Sequence, residues 1–302
     1  MRGRLQALAR QSGEDFQRTL VRYANERFLA RLAASRLSKQ FVLKGAMLFT
    51  VWGQQAHRAT RDVDLLGFGP SEPESVLEAL KEVLRTQVEG DGIHFEIDSL
   101  VVESIRDGKA YGGVRAHVDS HLTSARIRLQ IDIGFGDAIT PEATIARLPT
   151  LLGSTPPELL AYPPETVVAE KLEAMVQLGL ANSRMKDFYD LSVLASCCDF
   201  DGQLLSKAIR ATFERRRSQV PSSIPVALTV AFTEDTNKQA QWAGFVRKSG
   251  AIDAKSLTHT VQDVRGFVEQ PLRAAAQRCA FLARWSAGGR WVEEDVASPE
   301  GN

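Results

Sequence analysis

The apolar positions of this 302-residue chain recur with different periods in different stretches, and each period predicts a kind of structure. Over residues 13–35, Phe16, Leu20, Tyr23, Leu29 and Leu32 fall near a 3.6-residue period with Arg18, Arg22, Glu26 and Arg31 between them. That spacing predicts an amphipathic helix, with Ser12 as its N-cap. Phe41 to Leu43 is a short apolar run, followed by Lys44-Gly45 and a compact apolar stretch, Ala46 to Trp52, expected to be a helix beginning at the glycine. Thr60 to Phe68 mixes charge with Val63, Leu65, Leu66 and Phe68, which predicts a strand that ends at Pro70 to Pro73. Residues 74–88 return to helical spacing through Val76, Leu77, Leu80, Val83 and Leu84.

Residues 93–139 are different. Ile93–Ile105, Val114–His121 and Ala125–Phe135 are alternating and β-branched, separated by turn signals at Asp107-Gly108 and Gly112-Gly113. They predict three consecutive antiparallel strands. Beyond Pro141 the chain is irregular, with Pro149, Pro156, Pro157, Pro163 and Pro164, and a domain boundary is expected there. Helical spacing then dominates over 165–180, 184–197, 202–217 and on to about residue 286. The polar tail after Trp291 reads as a frayed end. The expected fold is α+β: residues 1–150 with a small mixed sheet and an N-terminal helix, then an all-α part over 151–302.

Composition narrows the class without changing this picture. With 44% apolar and 25% charged residues the chain reads as an ordinary globular protein. No apolar run of membrane-spanning length occurs, and the first residues, MRGRLQALARQSGEDF, lack the apolar core of a signal peptide. Three cysteines, two of them adjacent, suit free thiols in a reducing cytoplasm better than a disulfide framework. The formal net charge of zero hides a segregation. Residues 1–61 carry 12 basic and 3 acidic side chains, whereas residues 62–170 carry 8 basic and 19 acidic ones. A neutral total therefore does not exclude a polyanionic partner, since binding responds to the local field.

Four sequence features could carry chemistry. Asp62-Val63-Asp64 places two carboxylates on one face of a strand, an oxygen-rich pair suited to a hard divalent cation. The spacing alone decides little, because acid-x-acid occurs six times in the chain. Lys44-Gly45 precedes the expected Ala46–Trp52 helix, where a glycine would let backbone N–H groups approach a phosphate. Asp132 lies in the most apolar strand, a candidate third carboxylate for a metal site or simply a strand-end acid. Glu170-Lys171 sits on one expected helix, and Arg184-Met185-Lys186-Asp187-Phe188-Tyr189-Asp190 begins the next. These charges suit either triphosphate contact or an ion-pair network on a solvated helix. His117 and His121 are four apart on a strand, about 13 Å, which is too far for one zinc ion.

Taken in order, these segments resemble one family. Val42-Leu43-Lys44-Gly45-Ala46-Met47-Leu48, Thr60-Arg61-Asp62-Val63-Asp64-Leu65, Ile131-Asp132-Ile133-Gly134-Phe135-Gly136-Asp137, Glu170-Lys171-Leu172 and Arg184 to Leu191 are similar to the AbiEii/AbiGii toxin family, which includes the mycobacterial MenT toxins. Phe232-Thr233-Glu234-Asp235 and Lys238 to Trp242 extend the resemblance, which spans roughly residues 35–270. It implies a bilobed protein with a polymerase-β-like nucleotidyltransferase lobe and a helical lobe that completes the active-site cleft. It implies a toxin of a toxin–antitoxin or phage-defence pair that moves a nucleotide from an NTP to a target such as the tRNA 3′ end, with Mg²⁺ or Mn²⁺ as cofactor. A protein acceptor, or an inactive module that only binds nucleotide or a partner, are the alternatives. By position, Asp62 and Asp64 would bind metal, Gly45 would cradle phosphate, Lys171 would contact the nucleotide, and Asp187 would be an essential acid. In the two-metal mechanism this suggests, Asp132 is the candidate third metal carboxylate, and Lys44 or Lys186 would join Lys171 in offsetting triphosphate charge. Expected partners are the NTP, tRNA and a cognate antitoxin, with no membrane. Gly45-Ala46-Met47 departs from the family's Gly-Gly-Thr or Gly-Ser, which removes a small hydroxyl near the phosphates.

Overall fold

A computed structural model describes residues 1–52, 60–105, 112–251 and 254–294. The Asp107-Gly108 turn and the tail beyond residue 294 lie outside the described residues. The chain forms two compact units: Met1–Asp137 with Ala143–Tyr162, and Ala138–Glu142 with Pro163–Asn302.

The first unit opens with two helices, α1 (Arg2–Ser12) and α2 (Phe16–Ala34). The helix expected over 13–35 therefore starts three residues later, and a separate helix precedes it. Gly13, at φ +68, closes α1 in the left-handed region that glycine tolerates. Asp15, not Ser12, caps α2 by accepting from the Arg18 N–H. The strands are β1 (Phe41–Lys44), β2 (Asp62–Gly67), β3 (Ile93–Ile105), β4 (Gly113–Leu122), β5 (Ala125–Phe135), β6 (Thr144–Arg147) and β7 (Glu158–Ala161), with α3 (Pro73–Arg85) after β2. The stretch expected to be an Ala46–Trp52 helix is a 3-10 turn, Gly45–Thr50.

These seven strands form one mixed sheet in the order β3-β4-β5-β2-β1-β7-β6. The three expected strands over 93–139 are antiparallel neighbours, β3-β4-β5. Strand β2 runs parallel to β5, and β1 parallel to β7. Alternation along β5 explains the layering. Ile127, Leu129, Ile131 and Ile133 are buried, while Gln130 and Asp132 on the other face are only half-buried. Burying each such isoleucine or leucine stabilises the fold by about 1.5–3 kcal/mol. The buried face packs with α2, whose Leu20, Tyr23 and Phe28 are also buried.

The second unit is mainly helical: α4 (Pro164–Leu178), α5 (Met185–Cys197), α6 (Gly202–Arg215), α7 (Val230–Thr233), α8 (Thr236–Ser249) and α9 (Leu257–Gln277). It is not all helix. Strands β8 (Phe200–Asp201), β9 (Ala283–Trp285) and β10 (Trp291–Glu293) form a small sheet in the order β10-β9-β8. Two- and three-residue strands are too short to show alternation, so the sequence pattern hides them. Their aromatic side chains pay into the core: Trp285 stands 4.9 Å from Phe267, centroid to centroid, and its indole N–H donates to the Ala195 carbonyl at 2.7 Å.

Candidate active site

In the first unit, strand register builds the site. Lys44 of β1 is the direct partner of Asp64 on β2, Asp64 is the partner of Asp132 on β5, and Asp132 is the partner of Arg115 on β4. Directly paired residues project to the same face of a sheet. Lys44, Asp64, Asp132 and Arg115 thus form one row of charge, plus, minus, minus, plus, on the face opposite the buried isoleucines. Asp62, two residues before Asp64, lies in the adjoining row beside Gln130.

Gly45 is fitted to this row. Its φ is +77, and a β-carbon built there would stand 2.1 Å from Asp64 Oδ2 and 2.8 Å from Asp64 Cβ. Only a residue without a side chain lets the loop backbone come so close to the carboxylate.

Asp132 has a different setting from the one expected. Arg115 grips it with two bonds, Nε to Oδ1 at 2.8 Å and Nη2 to Oδ2 at 2.7 Å. The Gln130 amide adds contacts of 3.2 Å to both oxygens. A planar guanidinium matches a carboxylate in this bidentate way, taking one lone pair on each oxygen. Among the described residues, no three His, Cys, Asp or Glu side chains are grouped to hold a metal ion. Asp62 and Asp64 stand together on β2; Asp132, beside them in register, is engaged by Arg115.

Lys44 is also held. Its Nζ bonds Asp137 Oδ2 at 2.7 Å, and the Tyr162 hydroxyl donates to the same oxygen at 3.2 Å.

The second unit carries the other expected residues as a buried ionic cluster. Lys171 of α4 donates to Asp187 Oδ1 at 2.8 Å and to Asp190 Oδ2 at 2.6 Å, both on α5. Arg184 Nε bonds Asp187 Oδ2 at 2.6 Å. Both carboxylates have 0% side-chain exposure, so this is no solvated helix face. Burial alone would lower the Lys171 pKa, but Asp187 and Asp190 outweigh it and hold it above the ordinary lysine value. Burial alone would raise Asp187, but Lys171 and Arg184 outweigh it and hold it below the usual carboxylate range. Lys186 is exposed on α5. Arg216, from the Arg215-Arg216-Arg217 run, bonds Glu170 at 2.9 Å and Glu173 at 2.7 Å.

The basic N-terminal block is partly structural. Arg27 and Arg31 are 4% and 9% exposed and both bond Asp91, at 3.2 and 2.7 Å. The Tyr23 hydroxyl donates to the Asp91 carbonyl, and its pKa is pushed up to about 12 by burial and then by the Asp91 charge.

Sequence reasoning singled out Lys44, Gly45, Asp62, Asp64, Asp132, Lys171, Lys186 and Asp187. It gave no role to Arg115, Asp137 or Tyr162. Arg115 could have been found by pairing β4 with β5 back from their turn, which sets it opposite Asp132.

Among described residues, no helix is long and apolar enough to cross a membrane. Two solved structures are similar to the chain: JHP933 from Helicobacter pylori, 15% identical with a TM-score of 0.46 over 84% of this chain and 91% of that one, and a second H. pylori chain assigned as a nucleotidyltransferase, 15% identical with a TM-score of 0.45 over 84% and 94%. No curated protein matches the chain. The family described as nucleotidyl transferase AbiEii toxin, type IV TA system, matches residues 27–269, and the chain belongs to that family.

Proposed function

We propose that this nucleotidyltransferase moves a nucleoside monophosphate from an NTP to an RNA hydroxyl, the 3′ end of tRNA, and thereby blocks translation and growth. The observation that carries the reading is the row on the first sheet, where Asp64 lies between Lys44 and Asp132, with Gly45 pressed against it and Asp62 beside it.

Two half-buried carboxylates on one strand face are a donor set that fits Mg²⁺ or Mn²⁺. Asp62 and Asp64 would hold the ion, and Asp132, already bonded by Arg115, would stand beside them as a third carboxylate. Bound there, such an ion supplies Lewis-acid stabilisation of charge on the transferring phosphate. The remaining roles belong to the chain. Lys44 offsets triphosphate charge as a point cation, and the glycine at position 45 lets the loop backbone approach the phosphates. The family resemblance makes Lys171 and exposed Lys186 the second unit's candidate nucleotide contacts, and Asp187 and Asp190 keep Lys171 protonated for that role. The family's place in type IV toxin–antitoxin systems supports a cognate antitoxin as the protein partner.

The test is incubation of the purified chain with each NTP labelled at the α-phosphate, Mg²⁺ and a bacterial lysate. Label in the tRNA band is the expected result. Label confined to protein bands would replace the RNA acceptor with a protein one, and no transfer from any NTP would count against an active enzyme.

A further inference from the structure

Three residues far apart in sequence meet at one ammonium. Lys44 ends β1, Asp137 lies two residues beyond β5, and Tyr162 follows β7. The Lys44 Nζ bonds Asp137 Oδ2 at 2.7 Å, the Tyr162 hydroxyl donates to that same oxygen at 3.2 Å, and Nζ stands 5.8 Å from the Tyr162 ring centroid. The Lys44 and Asp137 side chains are only 18% and 20% exposed. The fit extends to the backbone below: a β-carbon on Gly134 would stand 3.0 Å from Lys44 Nζ and 3.6 Å from Asp137 Oδ2. Gly134 therefore leaves room for the pair to lie across β5, next to the row that contains Asp64 and Asp132.

A lysine side chain is long, and fixing it costs rotamer entropy. A largely desolvated carboxylate, itself oriented by a phenol, meets that cost during folding, before any ligand arrives. We infer that Asp137 and Tyr162 are positioning residues that preorganise the Lys44 ammonium for the triphosphate of the incoming nucleotide. This rests on the reading of Lys44 as a phosphate contact, and goes beyond it in saying what makes Lys44 effective. Neither residue need touch the nucleotide: Asp137 acts through Lys44, and Tyr162 acts through Asp137.

The sign of one substitution separates positioning from plain electrostatics. Replacing Asp137 removes a negative charge beside a polyanion site, so electrostatics alone predicts tighter anion binding. Positioning predicts the reverse. The probe is inorganic triphosphate, titrated by calorimetry into the full chain, so that neither the identity of the base nor turnover enters. Lys44→Met should weaken binding by about tenfold or more, Asp137→Asn by about fivefold to tenfold, and Tyr162→Phe by about twofold to threefold. In the Lys44→Met background, Asp137→Asn should cause no further loss, because residues that act through one another are not additive. Unchanged circular dichroism and melting cooperativity show that each variant is folded.

If Lys44→Met leaves triphosphate affinity unchanged, the reading of Lys44 fails and the inference fails with it. If Lys44→Met weakens binding but Asp137→Asn tightens it, leaves it unchanged, or adds its full loss in the double variant, the inference alone is overturned.

Discussion

The Gly45 α-carbon lies against the Asp64 carboxylate, so closely that an added methyl would stand 2.1 Å from Oδ2. A rotation of the Asp64 side chain cannot relieve this, because its Cβ would also be 2.8 Å away. The backbone at Gly45 has φ +77, which strains any other residue. Gly45→Ala is expected to cost about 2–4 kcal/mol by adding this clash to the backbone strain. The clash should also displace Asp64, so nucleotide transfer should fall more than folding does. Chemical denaturation and a transfer assay on the folded variant check the two effects separately.

The carboxylates of the row should not be equal. Asp132 is already satisfied by Arg115 and Gln130. Asp132→Asn is therefore expected to reduce transfer by only about tenfold, through loosening of Arg115. Asp62→Asn and Asp64→Asn should each cost far more. The comparison is of transfer rates at saturating Mg²⁺. Equal losses for Asp132 and Asp64 would place Asp132 among the metal donors.

Removing Lys171 would leave Asp187 and Asp190 buried together without their shared cation. Lys171→Met should destabilise the chain by about 3–5 kcal/mol, as for other buried charges that lose a partner. Adding Asp190→Asn to Lys171→Met should recover part of that loss, since it removes one of two neighbouring buried carboxylate charges. Denaturant titration of the single and double variants measures both steps.

The same cluster sets a pH window. Asp187 is depressed in the folded state, so its contribution is present above its unfolded pKa and is lost as pH falls through the lower folded value. Lys171 is raised, so its contribution is present below its unfolded pKa and is lost as pH rises through the higher folded value. This cluster should leave stability flat from about pH 5 to 9, with losses below about pH 4 and above about pH 10. Asp187→Asn should flatten the acid limb in a stability-versus-pH series. An unchanged acid limb would mean that other carboxylates govern acid unfolding.

Much of this was legible in the sequence, for physical reasons. The alternation of Ile127, Leu129, Ile131 and Ile133 identifies a strand with one buried face, and Asp62-Val63-Asp64 places two acids together without help from the rest of the fold. Lys171 and Asp187 stand out in the sequence only through the order of their motifs. The Arg115 clamp on Asp132 was hidden, because cross-strand partners depend on register and not on local spacing. Asp137 and Tyr162 were hidden for a similar reason: each meets Lys44 only after three strands assemble. The basic N-terminal block was legible as charge but not as burial, since composition cannot show that Arg27 and Arg31 are spent on Asp91.

That burial changes which arginines are open to the proposed RNA acceptor. Arg18 and Arg22 retain solvent access on α2, whereas Arg31 lies inside. Charge reversal of Arg18 and Arg22 should weaken tRNA binding and reduce the slope of log affinity against log salt by about 1 for each lost phosphate contact. Arg31→Met should lower stability and leave that slope unchanged. Salt-dependent binding of the folded variants separates the two classes.

The most direct measurement compares the wild-type chain with Asp64→Asn under identical conditions: NTP labelled at the α-phosphate, Mg²⁺, purified tRNA, and matched folded protein by circular dichroism. The wild type should label tRNA. The variant should lose about a thousandfold of that rate, several kcal/mol of transition-state stabilisation. Transfer by Asp64→Asn at the wild-type rate would contradict the assignment of the β2 carboxylates as the catalytic centre.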